Sequence, residues 1–171
     1  MNFTLRLATP ADAPSLRMLG LQVFLDTYAP DGVCDALARE AEETFSSSRV
    51  SGWLADPASA LLVAAHATGL TGFAHLAHGA SHPLVRGQAP TELQRLYVRR
   101  PFLGQGLGRA LLLRAEQLAA ERGAGVLWLT AWVGNARALA FYARQGYSDV
   151  GASDHVFEGQ RFENRVFAKP L

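Results

Sequence analysis

Three glycines on alternate positions, Gly104, Gly106 and Gly108, separate an apolar run, Leu93 to Val98, from a helix-forming run, Arg109 to Arg122. No other feature of the 171-residue chain restricts its fold so strongly. The first run reads as a strand. Into and along the second, Leu107, Leu111, Ala115 and Leu118 recur on one helical face. Glycine at every second position lets main-chain N–H groups turn toward one point with no Cβ in the way. The helix that opens there adds donors without intrahelical acceptors and the positive end of its dipole. A strand–loop–helix junction of this kind is a cradle for a phosphate group.

Spacing excludes two kinds of phosphate loop. A Walker loop needs a glycine, four intervening residues and then Gly-Lys-Ser/Thr, and the only lysine here is Lys169. A dinucleotide loop needs Gly-x-Gly-x-x-Gly and then an acidic residue on the following strand. Arg109 stands where the third glycine belongs, and Val126 to Trp132 contains no acid. By contrast, Leu103-Gly-Gln-Gly-Leu-Gly108, followed by Arg-Ala-Leu-Leu-Leu, resembles the pyrophosphate loop of the GNAT N-acetyltransferases, Arg/Gln-x-x-Gly-x-Gly/Ala. Leu103 departs from that pattern at its first position. The donors belong to the backbone, so the departure removes at most one polar contact.

A second stretch carries the same resemblance. Trp128 to Val133 is a β-branched and aromatic run that reads as a strand. After it come Gly134, Asn135, an alanine-rich helix, Phe141-Tyr142, and Gly146-Tyr147 opening another strand, as in GNAT chains. Asn135 also suits the helix N-cap. The resemblance is specific from Leu93 to Tyr147 and architectural elsewhere. Phe24 to Tyr28, with Phe157, Gly159 and Phe167 in the tail, adds a weaker likeness to the bacterial polyamine-acetyltransferase branch.

The resemblance implies an α/β (α+β) fold: a mixed, mostly antiparallel sheet of about seven strands flanked by about four helices, with a splayed parallel pair. It implies one N-acetyltransferase domain over residues 1–171. Acetyl-CoA is the implied co-substrate, with no metal, and a small-molecule primary amine, polyamine-like as a first expectation, attacks the thioester directly. The implied cofactor contacts are Leu96, Tyr97 and Val98 along the pantetheine arm. Leu103, Gly104, Gln105, Gly106, Leu107, Gly108 and Arg109 surround the pyrophosphate, with Asn135 and Tyr142 beside the cofactor. The N–H of Val98 or a neighbour would serve the thioester carbonyl as an oxyanion donor. An alkylamine of pKa near 10.4 costs about 4.6 kcal/mol to deprotonate at pH 7. Glu92, at the start of the central strand, is the candidate base. Tyr142 takes the position of the general acid that protonates the leaving thiolate. The ordinary alternatives are an exposed strand-end glutamate and a packing aromatic. Tyr97 and Trp132 border the acceptor side. Two other functions compete: acetylation of protein or peptide amines, and an acetyl-CoA sensor without turnover.

Composition narrows the partners. Sixteen basic residues nearly balance fifteen acidic ones, for a net charge of +1, which is no footprint for nucleic acid. No apolar run is long enough to span a membrane, and no signal peptide is read at the start of the chain. Cys34 is the lone cysteine, expected as a buried thiol, so a reducing cytoplasm is the expected location. His66, His75, His78 and His82 lack partners at metal-ligand spacing. The resemblance leaves room for a homodimer.

Along the rest of the chain, Phe3 to Leu7 reads as a strand and Thr9 to Asp12 as a helix start. A second helix is expected over Asp35 to Phe45. Ser46, Ser47, Ser48 and Ser51 mark looser chain. Ala60 to Ala67 and Leu70 to His78 read as a hairpin, Gly79 to Pro90 as a long polar loop. After Tyr147 a short strand is expected, then a loop around Asp154 to Gln160 and a last strand, Arg161 to Ala168.

Overall fold

The computed structural model describes residues 3–157 and 159–171. In chain order the strands are β1 (Thr4–Leu7), β2 (Ser59–His66), β3 (Gly69–His78), β4 (Pro90–Val98), β5 (Val126–Trp132), β6 (Ser148–Phe157) and β7 (Gln160–Pro170). The helices are α1 (Ala13–Tyr28), α2 (Asp35–Thr44), α3 (Ser47–Ala55), α4 (Leu107–Glu121) and α5 (Ala136–Arg144). The strands form one seven-stranded sheet in the order β1-β2-β3-β4-β5-β7-β6. Of the pairings with a resolved register, β4–β5 is parallel, while β1–β2, β5–β7 and β6–β7 are antiparallel. This is the mixed sheet expected from the sequence. The chain condenses into two compact units, 1–76 with 95–115, and 77–94 with 116–171.

In the first unit, α1 starts where Thr9 donates through its N–H and hydroxyl to Asp12, at 2.8 and 3.0 Å. Leu16 and Leu19 of α1 pack with Phe45, Val50, Leu61, Val63 and Phe73 in a closed apolar core. Residues Ser47 to Ala55 are helical, which corrects the expectation of looser chain. The serines mislead because one of them caps: Ser46 Oγ accepts from the N–H of Arg49. Val50 and Trp53 then bring the helix onto the core. Cys34 is exposed, at the residue before α2, not buried as its isolation suggested.

In the second unit, β6 and β7 pair antiparallel from Ser148↔Ala168 to Phe157↔Gln160. Of the loop expected around Asp154 to Gln160, Asp154 to Phe157 and Gln160 are therefore strand, and Glu158 lies outside the described residues. Gly159, at φ 76°, makes a tight return affordable. Asp154 pairs with Arg161 across the hairpin at 2.8 Å, so charges that suggested solvent loop instead face each other. The polar segment 79–89 is a strap over β5 and β7. Ala80 and Val85 pack on Val126, Trp128, Val166 and Ala168, and the Trp128 indole donates to the carbonyl of Ala80 at 2.8 Å.

Candidate active site

The glycine loop belongs to the first unit. A short 3-10 turn, Arg100–Phe102, follows β4, and the Gln105 amide donates to the Pro101 carbonyl at 2.7 Å. Gly104 and Gly106 hold φ at 72° and 82°, a conformation costly for any residue with a Cβ. An added Cβ at either would meet no protein atom within 4 Å. The space above both glycines is open. Helix α4 begins at Leu107, two residues before the expected start, with Leu107 buried as its anchor. Its first bond runs from Ala110 N–H to the Gly106 carbonyl at 3.0 Å. The N–H groups of Leu107, Gly108 and Arg109 therefore precede the first intrahelical bond. Leu111, Ala115 and Leu118 are buried, as the helical spacing requires.

Along β4, Leu96, Tyr97 and Val98 are half-buried. The Tyr97 ring lies 5.3 Å from Phe73 and 6.2 Å from Phe45, and burial pushes its phenol above the ordinary tyrosine range. Arg99 is engaged elsewhere: its Nε donates to Gln22 of α1 at 3.1 Å. Arg100 and Arg109 are exposed.

The same unit holds a polar group that sequence reasoning passed over. Arg95 lies with its guanidinium carbon 4.4 Å from the Trp53 ring centroid and 5.9 Å from that of Phe45. Its Nη1 is 3.3 Å from Nδ1 of His75, whose Nε2 is 2.8 Å from the Ser59 hydroxyl. Arginine only donates, so Nδ1 accepts and the imidazole proton sits on Nε2, donated to Ser59. His75 is 2% exposed. Burial and the adjacent Arg95 charge lower its pKa from 6.5 to about 3, so it stays neutral. The available signal was the alternation that puts Arg95 and Tyr97 on one face of β4.

The second unit holds the other candidates. The parallel register of β4 and β5 runs from Pro90↔Val126 to Glu92↔Trp128, while β4 continues to Val98 and β5 to Trp132. Glu92 occupies the last of these paired positions, half-buried, and accepts from the Gln94 amide at 3.2 Å. Asn135 caps α5, its Oδ1 accepting from Ala138 N–H at 3.1 Å. Tyr142 on α5 is 8% exposed, its ring 5.7 Å from Tyr147 and 6.1 Å from Phe167. The neighbouring Tyr147 is committed: its hydroxyl donates to Glu116 at 3.0 Å, and Lys169 donates to both oxygens of that carboxylate at 2.9 Å. Burial and the Glu116 charge raise the Tyr147 pKa. Among the described residues, no group of three or more His, Cys, Asp and Glu could hold a metal ion. No described helix is long and apolar enough to cross a membrane.

Residues 25–147 match the acetyltransferase (GNAT) family, and the chain belongs to that family. It is an N-acetyltransferase. An uncharacterized N-acetyltransferase of Lactobacillus delbrueckii subsp. lactis, in the pepI 3' region, is 29% identical over 146 residues, covering 85% of this chain and 83% of the relative. The streptothricin acetyltransferase of Streptomyces lavendulae is 30% identical over 95% of this chain and 71% of its own length. The crystal structure of the PaiA N-acetyltransferase from Thermoplasma acidophilum, in complex with coenzyme A, superposes with a TM-score of 0.77 at 20% identity, covering 100% of both chains.

Proposed function

We propose that this chain, as one catalytic domain, transfers the acetyl group of acetyl-CoA to a primary amine of a small molecule by direct attack. The observation that carries the reading is the cradle: two left-handed glycines with open space above them, at the opening of a helix whose first three N–H groups have no intrahelical acceptor. Those residues fit a diphosphate, which needs inward-facing donors and no side chain in its way. The coenzyme A bound to a structural neighbour supports the same choice of ligand. When bound, acetyl-CoA supplies an acyl thioester.

The first unit carries the proposed cofactor contacts and the second the proposed proton-transfer residues. In the first, the amides from Gln105 to Arg109 hold the pyrophosphate, and Leu96 to Val98 offer main-chain groups to the pantetheine amides in the manner of an added strand. The Val98 N–H is the donor proposed for the thioester carbonyl oxygen. In the second, Glu92 removes the amine proton, directly or through water, and Tyr142 returns a proton to the departing thiolate. Asn135 fixes the start of the helix that carries Tyr142. The acceptor nitrogen forms the new C–N bond as the C–S bond breaks. The thioester bonding pair leaves on sulfur, and sulfur takes the phenolic proton.

Thiol release from acetyl-CoA, followed with a chromogenic disulfide over a panel of amines, tests the reading. Turnover with at least one amine is expected, and Tyr142→Phe should lower kcat at least tenfold with little change in the KM for acetyl-CoA. An unchanged kcat would remove Tyr142 from the acid role. Acetyl-CoA bound but never consumed would support the sensor instead.

A further inference from the structure

This inference deepens the proposed acyl transfer and rests on Tyr142 as its general acid. Helix α5 is nine residues long, and Tyr142 is its one buried residue. So short a helix depends on its packing and on its ends. Asn135 fixes the first end, and Tyr147 closes the second. Gly146, at φ 84°, turns the chain there. The N–H of Gly146 donates to the carbonyl of Ala143, and that of Tyr147 to the carbonyl of Tyr142, both at 3.1 Å. These two bonds make a Schellman motif, in which the residue two past the cap also packs on the residue three before it. Here those residues are Tyr147 and Tyr142, whose rings meet edge to face at 5.7 Å. Tyr147 therefore holds Tyr142 by two routes, main chain and ring.

Tyr147 is itself tied down. It is 4% exposed, and its hydroxyl donates to Oε1 of Glu116 on α4. Lys169 of β7 donates to both oxygens of that carboxylate, and its Nζ lies 5.5 Å from the centre of the Tyr147 ring. A hydrogen bond onto a carboxylate is stronger than one between neutral groups. Burial and the Glu116 charge keep the Tyr147 proton in place, so this phenol's contribution is to geometry.

We infer that Tyr147, anchored through Glu116 and Lys169, is a positioning residue for the transfer: it sets the backbone and ring of Tyr142 so that the phenolic oxygen meets the departing sulfur. Placement of a reacting group counts heavily, since an error of about 1 Å can cost about a hundredfold in rate. Tyr147→Phe removes one oxygen, leaves an apolar ring in place and releases that ring from Glu116. Its effect falls on the chemical step and not on cofactor binding.

The test is a double-mutant cycle on the full chain, read as thiol release from acetyl-CoA with the fastest acceptor among spermidine, putrescine and lysine. Tyr147→Phe alone should lower kcat about fivefold or more, while the KM for acetyl-CoA stays within about twofold. In the Tyr142→Phe background the same change should move kcat by less than about twofold, because the hydroxyl it positions is gone. A tyrosine with a merely structural role would lower kcat alike in both backgrounds. If Tyr147→Phe fails to fold, Glu116→Leu with Lys169→Met reads the same quantity, since it removes the anchor and its countercharge together. Wild-type kcat in Tyr147→Phe, or equal losses in the two backgrounds, would overturn the inference, and a tenfold loss in Tyr142→Phe would then leave the acid assignment standing. Wild-type kcat in Tyr142→Phe would overturn the assignment and the inference together.

Discussion

Gly106→Ala separates what a glycine does for the fold from what it does for a ligand. Gly106 sits at φ 82°, and the added methyl would meet no protein atom within 4 Å. The cost to the folded protein is therefore backbone strain alone, about 1–2 kcal/mol. Gly79 provides the control, at φ 75° with the same open surroundings, in the turn that follows β3. Gly79→Ala should cost the same in a urea melt. Strain common to free and bound protein cancels from an affinity, so it does not weaken binding. A methyl in the space reserved for the diphosphate does weaken it, at a cost of at least about 1.4 kcal/mol, or tenfold in Kd. Calorimetric titration with coenzyme A should show that loss for Gly106→Ala and a Kd within about twofold of wild type for Gly79→Ala. Equal affinities for the two variants, at equal losses of stability, would refute the cradle.

Other expectations follow from the buried polar groups. His75 has a folded pKa lowered from 6.5 to about 3, so between those values the unfolded chain binds a proton that the folded one refuses. Stability then falls as pH drops below 6.5, by up to about 1.4 kcal/mol per unit, and levels off near pH 3. Urea melts from pH 7 to 4 should show His75→Gln losing less stability than wild type over that range, and parallel curves would contradict the assignment. Glu116 is 11% exposed and Lys169 27%. Lys169→Met should cost about 2–4 kcal/mol because it leaves a largely buried carboxylate without its countercharge, and adding Glu116→Gln should recover part of that. A double variant no more stable than the worse single one would show that the pair is not coupled.

The local features were legible and the long-range ones were not. Gly104 to Gly108, the apolar face of α4 and the Asn135 cap depend on residues within one or two turns of each other, and periodicity and capping chemistry report on that scale. The serines at and after the start of α3 were ambiguous because one residue type both caps helices and fills loops, and only the packing of Val50 against the core decides between them. The β6–β7 hairpin was misread for a related reason. Asp154 and Arg161 look solvated until the strands pair and bring them together. The group around Arg95 depends on neighbours from the end of α2 through β3, contributed by residues as far apart as Phe45 and His75. Nothing in the spacing of Ser59, His75 and Arg95 along the chain announces that they meet.

Equilibrium dialysis of labelled acetyl-CoA against the purified wild-type chain tests the account at its centre. Saturable binding of one acetyl-CoA per chain, displaced by unlabelled coenzyme A, is the predicted result. Label distributed equally on both sides of the membrane at every protein concentration would contradict it.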